Sequence, residues 1–368
     1  MPPGALRDDA ATMIEPLALA PAFAAALPPL SWRQLLSTTV DPVPIALLAG
    51  ALTLYLWGVA RQNRLHPHHR WPAGRTAAFI GGVAVTAIAL LSAIGVYDDE
   101  LFWDHMVQHL LLIMVAAGLF AVSSPIALAW RATAGTWHRR LGRVLRSHAA
   151  KVIGHPVIAF GAYALVVPVT HLTVFMTWVL ESPAAHHGEH VLFLVVGFLF
   201  WRQILGRDPG TNRLHPAMQA LYLFLAVPVD TFVGLTLSLE NREIFPAEAA
   251  LHRTWGPSLV TDLHVGGVIM WVGGDVLMSL AFVPVIMHWV RLEERRAVRF
   301  DRRLEDAPQP RVPVDPVDGR LGGPVIGPSF DPPIGEPLGR PLTGGQRTAG
   351  FALGTYRPRA ARRRGTTS

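Results

Sequence analysis

Apolar residues in this chain are gathered into long blocks separated by short polar connections, unlike the three-or-four spacing of a surface helix or the alternation of a half-buried strand. The blocks run from Val43 to Val59, Ala77 to Tyr97, Asp104 to Trp130, Val152 to Val179, His187 to Leu205, Ala217 to Leu239 and Thr261 to Val290. Each has at least the ~17 residues that a helix rising ~1.5 Å per residue needs to cross a hydrocarbon layer. The pattern predicts an all-α polytopic membrane protein, a seven-transmembrane-helix bundle over residues 43–290.

The connections set the expected orientation, because arginine and lysine of short loops stay on the cytoplasmic side. RQNRLHPHHRWPAGR, RATAGTWHRRLGRVLRSHAAK and GRDPGTNR, after the first, third and fifth blocks, are basic. The alternate connections YDDELFWD, ESPAAHHGEH and ENREIFPAEAALHRTWGP are acidic or mixed. This alternation places the N-terminus outside and the C-terminus inside. Residues 1–42 carry Asp8, Asp9 and the proline-interrupted patch LALAPAFAAALPPL, with no basic region ahead of it. They are expected to form a flexible or interfacial lead-in rather than a signal peptide.

Composition agrees with the pattern, at 51% hydrophobic and 16% charged, where soluble domains carry roughly a quarter charged residues. The net charge of +6 is local: fifteen arginines and nine acids lie from Arg291 onward, leaving seventeen of each sign before it. Residues 291–368 are also rich in proline and glycine, so a largely disordered cytoplasmic tail is expected. A basic tail beside a bilayer meets anionic lipid headgroups rather than nucleic acid. The chain has no cysteine, which excludes disulfides, iron–sulfur clusters and thiolate metal sites and leaves histidine, carboxylate and methionine as ligands.

Sorting the histidines by side concentrates the chemistry. The expected outer ends hold His105 and His109 at the start of the third helix, His171 in the fourth, His186, His187 and His190 at the start of the fifth, and His264 in the seventh. Spacings of three and four place His186, His187 and His190 as neighbours on one helix, and His105 and His109 likewise. Imidazole suits copper, zinc and iron, and thioether adds a preference for copper, so Met106 and Met176 supply nearby soft donors. Asp262, Asp104 and Glu189 could orient the rings or ligate directly. A rim histidine is often only a hydrogen-bonding group, and His155, ahead of Pro156, reads as a helix-entry residue. Convergence of four helices favours function over that bland alternative.

Two carboxylates lie deeper, Asp230 in the sixth helix and Asp275 in the seventh. They read either as stations on an ion or proton path or as hydrogen-bonding groups between helices. The residues leave three readings open: a site that holds a metal such as copper, zinc or iron, a copper or divalent-metal transporter using Asp230 and Asp275, and a bis-histidine haem protein.

The stretches HMVQHLLLIMVAAGLFAVSSPIAL, GHPVIAFGAYALVVPVTHLTVF, HHGEHVLFLVVGFLFWRQIL and TDLHVGGVIMWVGGD, in that order, resemble the CtaG family of caa-type cytochrome c oxidase assembly factors. The resemblance implies a multi-helix membrane protein, not an enzyme, that helps supply copper to the oxidase subunit carrying the copper site. Its motifs fall on His105 and His109, on His171, on His186 and His190 with Glu189 alongside, and on Asp262. Residue reading and resemblance together make His105, His109, His171, His190 and Asp262 the expected ligands, with His186, His187 and His264 next. The family's seventh-helix pattern has glutamine after the aspartate. Here Asp262 is followed by Leu263 and His264, so His264 is expected to take over the missing polar group.

Overall fold

The computed structural model describes residues 27–206, 208, 214–241 and 255–305, and these are helical with no strand among them. Residues 1–26 of the lead-in and 306–368 of the tail lie outside the described residues. Helix α1 (Pro42–Leu65) begins where the Asp41 carboxylate accepts the Val43 N–H and where proline occupies the first turn, a position that needs no amide donor. Helix α2 (Ala73–Leu91) follows, then a short helical turn at Ile94–Tyr97.

The third block starts as α3 (Phe102–Leu110), passes through a π-helical stretch (Leu111–Ala116) and continues as α4 (Ala117–Ser123). Ser124 then takes a left-handed conformation at φ 52°, and Pro125 opens α5 (Pro125–Ala132). Within the π stretch the Ile113 carbonyl accepts the Trp201 indole N–H at 3.0 Å.

Helix α6 (Gly135–Leu145) lies within what the sequence reads as a basic loop. Trp137 on it is 68% exposed, with the Arg140 guanidinium 5.2 Å from the Trp137 ring centre. The fourth block is not one helix but α7 (His148–Ile153), α8 (Pro156–Leu172) and α9 (Val174–Glu181). Thr173 is extended and its hydroxyl caps α9. His155 does shape a helix entry: its Nδ1 accepts the Val157 N–H ahead of α8. Helices α10 (Pro183–Ile204), α11 (Pro216–Leu239) and α12 (Leu259–Val268) come next. A second π-helical stretch (Ile269–Gly273) joins α12 to α13 (Gly274–Glu305).

Among the described residues five stretches are long and apolar enough to cross a membrane: Pro42–Leu65, Ala73–Tyr97, Phe102–Ala132, Pro216–Leu239 and Leu259–Arg303. The two others expected from sequence fall short of that description for physical reasons. Helix α8 has 17 residues because the chain breaks at Thr173, and α10 has 22 but interrupts its apolar run with His186, His187, Glu189, His190 and Arg202. Leu54, Val157, Leu165, Phe224, Phe232 and Leu280 are each 60% or more exposed. Water does not tolerate so broad an apolar surface on a monomer, whereas a bilayer matches it. The protein is a helical membrane protein.

Helices α3, α8, α10, α11 and α12 surround the main core, where Met106, Tyr163, Phe193, Phe200, Leu223 and Leu237 are almost fully buried. Close approach depends on glycine. A side chain on Gly234 would meet the Gly267 carbonyl oxygen at 2.6 Å, and one on Gly197 would meet the Ile113 oxygen at 2.5 Å. The first contact locks α11 to α12 and the second locks α10 to the π stretch, by the small-residue packing that membrane helices use. These contacts bring the polar ends of α3, α8 and α10 together.

Candidate metal centre

The start of α3 and the start of α10 meet at one end of the bundle. Helical spacing puts His105 and His109 one turn apart, with ring centres 4.0 Å apart. Glu189 on α10 comes between them: its Oε2 lies 3.8 Å from His105 Nε2 and 3.5 Å from His109 Nε2. All three are buried, and one ligand atom from each lies within 4.8 Å of the other two.

Hydrogen-bond logic assigns the protons on two of the rings. His171 Nδ1 sits 2.8 Å from the Val167 carbonyl, which only accepts, so Nδ1 carries the proton. In the neutral ring His171 Nε2 then accepts from His109 Nδ1–H at 3.1 Å. Neutral His109 is left with a bare lone pair on Nε2, facing the Glu189 carboxylate. A lone pair and a carboxylate oxygen repel unless a cation lies between them. The same need extends to neighbouring atoms: both ring nitrogens of His105, His109 Nε2 and both Glu189 oxygens are buried without a hydrogen-bond partner. Buried polar atoms are normally paired, so this orphaned set of nitrogen and oxygen donors fits a metal ion. The donors suit a borderline cation such as copper or zinc.

A second group adjoins the first. Asp98, His186 and His190 also bring one ligand atom each within 4.8 Å of the others. His186 stacks on His105 with ring centres 5.3 Å apart and lies 4.4 Å from the His190 ring. Gln108 ties the group together: its side-chain amide donates to the Ala89 carbonyl and to Asp98, and its Oε1 accepts from His190 Nε2 at 2.8 Å. Burial, reinforced by the neighbouring Asp99 carboxylate, raises the Asp98 carboxyl to about 7. This group lines a cleft of about 680 Å³ that also holds Asp41, Asp99 and His187.

The remaining residues named from sequence are distributed otherwise. His187 stands in the cleft wall, 3.1 Å from the Asp41 carboxylate. Asp262 is buried, but one of its oxygens accepts the Trp103 N–H at 3.0 Å and so caps the first turn of α3 from α12. His264 bonds the Glu240 carbonyl through Nε2 at 2.7 Å, bracing α12 against the end of α11. The structure brings neither Asp262 nor His264 into either ligand group. Met106 is buried beside the centre and lines a cavity of about 20 Å³ with Met114, Met270, His109, His171 and Asp230. Asp230 accepts the Tyr163 hydroxyl at 2.6 Å, and Asp275 accepts from Thr231 at 3.3 Å, so both make the inter-helix hydrogen bonds of the structural alternative. Met176 belongs to the apolar core.

Glu189 is legible in the sequence as a possible ligand, whereas Asp98 and Gln108 do not stand out as site residues there. Asp98 sits in an acidic connection where nothing in the sequence separates it from the adjacent Asp99 and Glu100. The signal for Gln108 was available: it is a polar side chain in an apolar helix, three positions after His105.

Fold and site together define a polytopic helical membrane protein with a buried histidine–carboxylate centre near one end. The chain belongs to the cytochrome c oxidase caa3 assembly factors, the Caa3_CtaG family, whose model matches residues 53–292. It is 28% identical over 246 residues to uncharacterized proteins of Mycobacterium bovis and Mycobacterium tuberculosis, covering 64% of this chain and 37% of each of theirs. An uncharacterized protein of Mycobacterium leprae is 27% identical over 262 residues, covering 68% of this chain and 39% of that one. The chain thus spans well under half the length of these relatives. No solved structure matches it.

Proposed function

We propose that the protein holds copper as cargo at the His105–His109–Glu189 centre and passes it to the cytochrome c oxidase subunit that carries the copper site. The observation that carries this reading is the set of buried nitrogen and oxygen donors on α3 and α10 that face one another without partners. Membership of an oxidase assembly family supplies the recipient. Imidazole and carboxylate give ligands that can be exchanged one at a time, which delivery requires. His171 orients His109 through its hydrogen bond and leaves the His109 Nε2 lone pair available. On this reading all seven blocks cross the bacterial plasma membrane, α8 and α9 together forming one crossing. The cleft end then faces outside with the N-terminus, the C-terminus lies inside, and the basic tail meets anionic lipid.

The haem alternative fits poorly, because the His105 and His109 rings and the His109 and His171 rings pack 4.0 and 5.2 Å apart with no slot for a porphyrin between them. The test is made in cells that express the oxidase, with the chain replaced by its His105→Ala/His109→Ala variant. With the variant present in membranes at normal abundance, the isolated oxidase is expected to be copper-deficient. Normal oxidase copper in those cells would refute the assignment.

A further inference from the structure

Two ligand groups adjoin, and they differ in how they meet solvent. His105, His109 and Glu189 are 0%, 4% and 1% exposed. Asp98, His186 and His190 are 6–8% exposed and form part of the wall of the open cleft. No arginine or lysine is among the residues lining that cleft, whereas three carboxylates, Asp41, Asp98 and Asp99, are. Asp99 is the most exposed of them, with 67% of its side chain accessible. Histidines are the basic partners these carboxylates have, His187 at 3.1 Å from Asp41 and His186 at 3.4 Å from Asp99, and a concave surface lined by carboxylates without arginine or lysine concentrates cations. The cleft therefore draws cations toward Asp98 and the two histidines.

The outer group also contains an orphan. His186 Nε2 is buried without a hydrogen-bond partner, 3.7 Å from Asp98 Oδ2. Its ring stacks on His105 at an interplanar angle of 21°, so the wall of one group is the wall of the next. Gln108 holds Asp98 and His190 in register from α3, the helix that also carries His105 and His109.

We propose that Asp98, His186 and His190 form a second metal station, a loading site through which a copper ion passes from the cleft to the buried centre. This rests on the copper reading of that centre. The ion enters past Asp41 and Asp99 and is held by one carboxylate and two imidazoles. It moves inward by exchanging those ligands for His105, His109 and Glu189 one at a time, with no change in oxidation state required.

The test uses full-length protein purified in detergent and given Cu²⁺ alone, followed by rapid mixing with a chelator. In the unaltered protein, a fast-exchanging and a slowly exchanging copper population are expected. His105→Ala/His109→Ala keeps the fast population and loses the slow one. His186→Ala/His190→Ala keeps the slow population but fills it about tenfold or more slowly. The isosteric Asp98→Asn variant shows the same slowing, guarding against loss of the fold. Filling of the slow population at the unaltered rate in both the Asp98 and the His186/His190 variants would overturn the loading site. So would complete loss of copper from the His105/His109 variant. Retention of the slow population by the His105/His109 variant would instead overturn the underlying copper centre.

Discussion

Three buried side chains with similar chemistry, Glu189, Asp262 and Asp98, have three different tasks, and their partners decide which. Glu189 faces two histidines and has both oxygens unsatisfied, whereas Asp262 accepts a backbone N–H of α3. Asp262→Ala is therefore expected to lower stability by ~1 kcal/mol, as loss of a helix cap does, and to leave copper content unchanged. Thermal unfolding and metal analysis of the same preparation check both halves. Gln108→Leu removes the amide that holds Asp98 and His190, and should weaken the fast-exchanging copper population ~10-fold or more while leaving the slowly exchanging one in place, as loss of a ligand's hydrogen-bonding support does. Competition with a chelator of known affinity measures it. The histidines of α3 and α10 were legible in the sequence because spacing on one helix fixes which rings share a face. Asp262 and His264 were not, since whether a polar group at a helix end turns toward a cluster or toward the neighbouring backbone depends on packing between helices. Asp98 was hidden because only Gln108, on another element, distinguishes it from Asp99.

At the scale of the element, the π stretch in α3–α4 and the glycines on α10, α11 and α12 set how closely the helices approach. Gly234→Ala or Gly267→Ala puts a methyl group within 2.6–2.7 Å of backbone or side-chain atoms across the α11–α12 contact. Backbone cannot step aside as a flexible side chain does, so each substitution is expected to cost ~1–3 kcal/mol as overpacking. A lower unfolding temperature in detergent is the readout, and an unchanged one would show that the contact is loose. The length and apolarity of five spans were plain in the sequence. Breaks at Ser124 and Thr173 were not, although Pro125 follows the first directly. Neither residue type forces a break. Helix α6 was missed because its apolar positions are few and its arginines dominate the composition, so it read as a loop.

The whole molecule presents an acidic cleft with a buried centre behind it at one end and a basic, amphipathic α6 within a basic connection. The proposed topology assigns these to opposite sides of the membrane. The absence of cysteine makes that testable by single substitutions: Asp99→Cys should react with an impermeant thiol reagent in intact cells, and Trp137→Cys only after permeabilisation. The reverse pattern would invert the orientation. The transport alternative predicts copper uptake into proteoliposomes, whereas the assembly reading predicts binding without uptake. The most direct test of the central claim is metal analysis of the purified protein after loading with copper and removal of fast-exchanging ions. About one slowly exchanging copper per chain is expected for a centre with this donor set, lost in His105→Ala/His109→Ala. Equal retained copper in the two proteins, or none in either, would contradict it.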